Sequence, residues 1–177
     1  GMMNESFGFI NQVLFGGAAI PWLTDPTLAK VSAIMVNVWL GFPYMFLICT
    51  GALQAIPEEL TEAATMDGAR GWDVFRRIKL PLLLSTTAPV LIASFAFNFN
   101  NFNLVYLLNN GGPRDTTTSL PVGHTDLLIS MVYKVAFTGQ NRDYGLASAF
   151  SIIIFVIVAV ISVISFSRTK ALEEIQR

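Results

Sequence analysis

Three stretches of this chain contain no Asp, Glu, Lys or Arg: Val31 to Pro57, Leu80 to Pro113 and Tyr144 to Ser167. The apolar core of a bilayer is about 30 Å thick, and about 20 apolar residues cross it as a helix. Each stretch is long enough. A soluble helix of that length carries a charged face, and these carry none. The pattern predicts membrane-spanning helices at 31–54, 82–108 and 144–167, the alternative being a very apolar soluble helical core. Between the first two, residues 55–81 are polar, helix-prone and rich in Arg and Lys. Residues 109–143 open on the turn cluster Asn110-Gly111-Gly112-Pro113 and pass through an exposed Thr116–Ser119 run. The short apolar stretch Asp126–Phe137 follows. It is too short to cross a bilayer and is expected to lie at the surface or dip in from it.

Charge sets the direction of the spans. Residues 55–81 hold Arg70, Arg76, Arg77 and Lys79, and the tail 168–177 holds Arg168, Lys170 and Arg177. The other side has Lys30, Arg114, Lys134 and Arg142, spread over a longer stretch. The excess of Lys and Arg on one side predicts that 55–81 and the C-terminus are cytoplasmic, while 1–30 and 109–143 face outward. Overall, 53% of residues are hydrophobic and 13% charged, against about 25% charged in soluble domains. The net charge of −1 gives no signal for nucleic acid. The single cysteine, Cys49, sits in an apolar run, which excludes a disulfide framework and reads as packing. The single histidine, His124, lacks a second ligand nearby, so no zinc site is expected. Trp22 and Trp39 read as interface anchors, although Trp39 suits bundle packing equally. Residues 1–30 lack a basic leader and are interrupted by Pro21, Asp25 and Pro26, so they do not read as a secretory signal. The Gly1-Met2-Met3 start gives the expectation of a fragment whose earlier helices are missing or separate.

The central polar segment carries the most specific pattern. Pro57 suits the first turn of a helix, and Glu58, Glu59 and Glu62 complement its positive end. Gly68 stands where that helix should stop. A second short helix is expected from about Trp72 to Ile78, with Pro81 opening the next span. Two short amphipathic helices joined at a glycine suit docking onto a soluble partner; a solvated loop with a surface helix is the plainer reading. Glu62-Ala63-Ala64, then Gly68, Ile78 and Leu80-Pro81 at fixed spacing resemble the EAA loop of ABC-importer permeases.

That resemblance implies an all-α integral membrane protein, the C-terminal part of a type I permease core. It would have three transmembrane helices and a cytoplasmic two-helix coupling loop, and would sit as a multi-pass protein in a bacterial inner membrane. It further implies that Glu62, Ala63, Ala64, Gly68, Ile78, Leu80 and Pro81 couple to an ABC ATPase homodimer. A second permease subunit, a periplasmic sugar-binding protein and membrane lipid are the other partners implied. No GxxxxGK[ST] loop occurs in the chain. No cofactor is therefore expected on it, and ATP with Mg would belong to the partner ATPase.

Polar residues within the spans suggest what passes. Asn37, Leu40, Gly41 and Tyr44 fall at i, i+3, i+4 and i+7, one face of a helix. Ser94, Asn98 and Asn101 keep the same spacing on the second span, with Phe97 beside them. Amides that donate and accept, aromatic rings and a close-approach glycine suit a neutral polyol, and the uncharged spans argue against an ion or amino acid. The same pattern also fits helix–helix packing. Similarity to the maltose and maltodextrin permeases within the family implies substrate contact at Asn37, Leu40, Gly41, Tyr44, Phe97, Asn98 and Asn101. Asn100 and Asn103 point elsewhere on the helix. Pro43 and Pro89 lie within spans, where a kink would shape a cavity. Other readings are a permease for another neutral sugar, a scaffold that only recruits an ATPase, and a membrane enzyme. The last lacks any Ser/His or paired-acid constellation in the spans.

Overall fold

The computed structural model describes residues 1–138 and 142–175, with 169–175 as backbone alone. Arg177 and the side chain of Lys170, both counted toward the charge asymmetry, lie outside the described residues. The architecture is all-helical. In order come α1 (Pro26–Gln54), α2 (Glu58–Met66), α3 (Gly71–Val74), α4 (Leu80–Phe99), α5 (Phe102–Asn109), α6 (Leu128–Tyr133) and α7 (Tyr144–Ile175). Wide π-helical turns occupy Ile10–Leu14, Phe75–Lys79 and Lys134–Thr138. Among the described residues three helical runs are long and apolar enough to cross a membrane: Pro26–Gln54, Gly71–Phe99 and Tyr144–Arg168. Leu128–Thr138 is apolar but shorter.

Local chemistry sets the ends of these runs. The first begins at Pro26, five residues before the charge-free stretch, because Asp25 Oδ1 accepts from the N–H groups of Thr27 and Leu28 at 2.9 Å each. Pro26 then takes the first helical position, where no N–H is needed. In the second run α3, the π turn and α4 follow without a break, so no separate short helix ends at Ile78. Leu80 N–H bonds the Phe75 carbonyl, five residues back, and this wide turn absorbs the mismatch where Pro81 brings no donor. Pro43 and Pro89 both lie inside helices.

The expected 82–108 span is broken. α4 stops at Phe99, and Asn101, at φ −77° and ψ 70°, accepts the Leu104 N–H at 3.3 Å to start α5. Asn favours this capping geometry over a helix interior, and the cap overrides the apolar periodicity. α7, capped by Asp143 through Leu146 N–H at 2.9 Å, runs beyond Ser167 to Ile175.

The chain divides into two compact units. One comprises Gly1–Leu40 and Asn98–Ile157, the other Gly41–Phe97 and the chain from Val158 onward. Most buried apolar residues, including Trp22, Ala29, Val105, Val132, Val135 and Ala147, belong to the first. Elsewhere Leu, Ile, Val and Phe along the long helices are largely exposed, which in a bilayer is lipid- and helix-facing surface.

The first unit contains an element the hydrophobic pattern did not announce. Asn11, 1% exposed, donates through Nδ2 to the carbonyls of Glu5 and Ile20, both at 3.0 Å, and its Oδ1 accepts the Trp22 indole N–H at 2.6 Å. Ser32 Oγ then bonds the Trp22 carbonyl at 2.9 Å. Trp22 is therefore a buried pin between the first 25 residues and α1, not an interface anchor, because its only polar atom is satisfied inside. Asn11→Leu is expected to leave the buried Trp22 indole N–H unpaired, to remove a bond from the Glu5 and Ile20 carbonyls, and to cost about 2 kcal/mol. Amide hydrogen exchange should accelerate across residues 1–25 and stay unchanged in α7; unaltered protection of 1–25 would refute the pin.

Candidate functional site

The residues expected to couple to an ATPase all fall in the second unit. α2 ends in a paired closure: Gly68 N–H bonds Thr65 O at 3.0 Å and Ala69 N–H bonds Ala64 O at 2.9 Å. This Schellman closure needs a left-handed residue, and Gly68 has φ 85°. Glu62 and Ala63 are exposed on α2, and Ala64 is half-buried. Ile78 lies in the π turn, half-buried, with Leu80 and Pro81 following at the start of α4. These residues thus frame one short helix and the turn that feeds a span. Sequence reasoning passed over the apolar surface beside them. Met66 is 88% exposed and Trp72 68%, and the Trp72 ring stacks on Phe75 with centroids 5.6 Å apart. A tryptophan left open next to a polar helix on a loop was a readable signal of a docking surface.

The polar face of α1 forms as expected: Asn37, Leu40, Gly41 and Tyr44 succeed one another along an unbroken helix. Asn37 is half-buried, and Leu40 and Tyr44 are well exposed. A Cβ at Gly41 would meet no described atom within 4 Å beyond its chain neighbours and its own helix backbone, so no other described segment uses this glycine for close approach. On the second span Phe97, exposed, and Asn98 lie in the last turn of α4. Asn101 does not share their helical face. It is the cap of α5, half-buried, and its carbonyl oxygen is committed to Leu104.

The segment between α5 and α6 is held by a polar knot. Asp126 Oδ2 accepts from Lys134 Nζ and from Gly123 N–H, each at 2.7 Å, while Oδ1 accepts the Ser130 hydroxyl at 2.8 Å. Lys134 Nζ also bonds the Asn110 carbonyl at 2.7 Å. Thr125 and Asn109 both donate to the Gly112 carbonyl, at 2.8 and 2.7 Å. Gly111, at φ 75°, passes so close that a Cβ there would collide with the Asp126 carboxylate. The Lys134 and Asp126 side chains are 12% and 4% exposed, and removing one charge of such a pair strands the other. Lys134→Met is expected to cost about 3 kcal/mol, with part recovered in the Asp126→Leu/Lys134→Met double variant. Thermal unfolding in detergent checks this, and an unchanged midpoint in the single variant would refute it. Further along, the Thr117 hydroxyl and N–H bond Asp115 Oδ1 at 2.6 and 2.8 Å. With a smaller pull from His124, they hold the Asp115 carboxyl below its usual range. Among the described residues no cluster of three or more His, Cys, Asp or Glu stands where it would hold a metal ion.

Residues 6–174 match the family model described as binding-protein-dependent transport system inner membrane component. The chain is 49% identical over 173 residues to the maltose/maltodextrin transport system permease protein MalF of Photorhabdus laumondii, covering 96% of this chain and 33% of that one. It is 47% identical over 173 residues to the protein of that name in Escherichia coli K12, covering 96% of this chain and 34% of the other. The chain therefore spans about a third of the length of the curated relatives it matches. A solved structure described as a bacterial ABC transporter involved in the import of the acidic polysaccharide alginate matches with TM-score 0.77 and 23% identity. The match covers 96% of this chain and 58% of that one. At that identity the likeness shows the fold.

Proposed function

The chain belongs to the binding-protein-dependent transport system inner membrane component family, and we propose that it forms part of the permease subunit of an ATP-driven importer of maltose and maltodextrins. The near-half identity to relatives named for that transport, over almost the whole chain, carries this reading. The residues supply a mechanism in keeping with it. Asn37, Leu40, Gly41, Tyr44, Phe97, Asn98 and Asn101 offer the sugar amides for its hydroxyls and rings for its C–H faces. At the other end, the exposed Glu62–Gly68 segment docks on a separate ATPase homodimer, which holds ATP and Mg. Closure of that dimer moves α2, and the spans rock so that the sugar site opens alternately outward and inward. A second permease subunit completes the bundle, and a periplasmic binding protein delivers the sugar. The loop and the C-terminus are cytoplasmic in this arrangement, as the Lys and Arg distribution supports.

The charge-free spans favour a neutral sugar over an acidic one. Uptake of labelled maltose by vesicles holding the complete transporter tests this. Unlabelled maltohexaose should compete and an oligouronate should not. Import of a different neutral solute alone would keep the permease and sink the maltose assignment. An assembled complex that imports nothing would leave a scaffold.

A further inference from the structure

Five aromatic rings of the first unit form a continuous run from the start of α5 to the start of α7. Phe102 contacts Tyr106 and Tyr133, each at a centroid distance of 4.9 Å, and Tyr106 meets Tyr133 edge-on at 5.6 Å. Tyr133 passes the run to Phe137 at 5.3 Å, and Phe137 to Tyr144 at 6.1 Å. A cluster serving only to pack α5 on α6 would bury its last members. Here the last two members stay open: Phe137 is 57% exposed and Tyr144 54%, against 39% for Tyr106, while Phe102 and Tyr133 are half-buried.

Two observations say what would cover the open rings. The run begins at Phe102, the residue after Asn101, so it starts beside the sugar contacts proposed above. It ends beside a cleft of about 770 Å³, whose lining includes Thr138 and Asp143, the chain neighbours of Phe137 and Tyr144. That volume falls in the range of about 300–1,000 Å³ usual for small-molecule sites. The lining mixes hydroxyls, an amide and charged groups with Leu120, Pro121 and Val135. Aromatic faces flanked by tyrosine hydroxyls suit pyranose rings, which present C–H faces and hydroxyl edges. Lipid tails would ask for neither.

Resting on the maltodextrin reading, we propose that Phe102, Tyr106, Tyr133, Phe137 and Tyr144 form a stacking surface that carries further glucosyl units of a maltodextrin away from the Asn98–Asn101 level. Chain length is then sensed on this surface. The test compares uptake of maltose and maltohexaose by the complete, reconstituted transporter. Phe137→Leu and Tyr144→Leu keep apolar bulk without a ring, and Tyr144→Phe keeps the ring. Each Leu variant should lower maltohexaose uptake about three- to tenfold more than maltose uptake, and Tyr144→Phe should retain the wild-type ratio. Equal losses for both sugars, or no loss, would overturn the proposal. So would a failure of the Leu variants to assemble, which would make the rings a subunit interface. Failure of the underlying reading looks different: the wild-type transporter would then import neither sugar.

Discussion

Gly68→Asp is expected to abolish substrate-dependent transport while leaving the transporter assembled. The residue sits at φ 85° and closes α2 through its own N–H and that of Ala69. A Cβ there would meet nothing within 4 Å, so the effect is confined to backbone conformation and charge. The left-handed region costs a non-glycine residue up to about 1–2 kcal/mol, with Asp and Asn at the low end. A carboxylate beside the negative end of a helix adds about 0.3–1 kcal/mol. Together these are enough to depopulate the closed helix end severalfold to about tenfold, too little to unfold the chain. The loss therefore falls on the contact with the ATPase. Gly68→Asn, which tolerates positive φ and adds no charge, should keep most of the transport. Equal activity in wild type and Gly68→Asp would remove α2 as the lever.

Substitutions at the polar face of the second span should act on the opposite end of the cycle. Asn98→Leu is expected to raise the maltose concentration for half-maximal transport about tenfold or more, since an unpaired hydroxyl in a dry site costs about 1–3 kcal/mol. Asn101 needs a paired test because it also caps α5. Asn101→Ala removes the cap, costing about 1 kcal/mol, along with any amide contact to sugar. Asn101→Ser keeps a capping oxygen but not the amide. Poor capture in both variants would assign the amide to the sugar. Recovery with serine would make Asn101 a positioning residue that fixes the helix break.

Legibility in the sequence followed how local each signal was. The three charge-free runs exposed the spans, and a glycine at the end of Glu58–Met66 exposed the helix stop, since both depend on consecutive residues. The Asp25-Pro26 start was readable in the same way, yet the charge-free criterion placed the boundary at Val31. The break at Asn100-Asn101 was hidden, because Phe97, Phe99 and Phe102 continue the apolar pattern across it. Two features had no local signature. Asn11 finds Trp22, and Lys134 finds Asp126 and Asn110, only when separated segments fold together. The aromatic run is of the same kind: its rings come from α5, α6, a π turn and α7. On the face proposed to meet the sugar, the spacing of Asn37 to Tyr44 was legible as one helical face. That Asn101 leaves the face of Asn98 was not, since capping and helix-interior asparagines look alike in sequence.

Sugar-dependent ATP hydrolysis tests both ends of the proposed mechanism at once. The complete permease would be reconstituted in proteoliposomes with its partner permease, ATPase and binding protein, and phosphate release measured with and without maltose. Stimulation that requires maltose, and that disappears in Gly68→Asp with the complex intact, is the expected result. A complex whose hydrolysis ignores maltose, or whose stimulation survives Gly68→Asp, would contradict it.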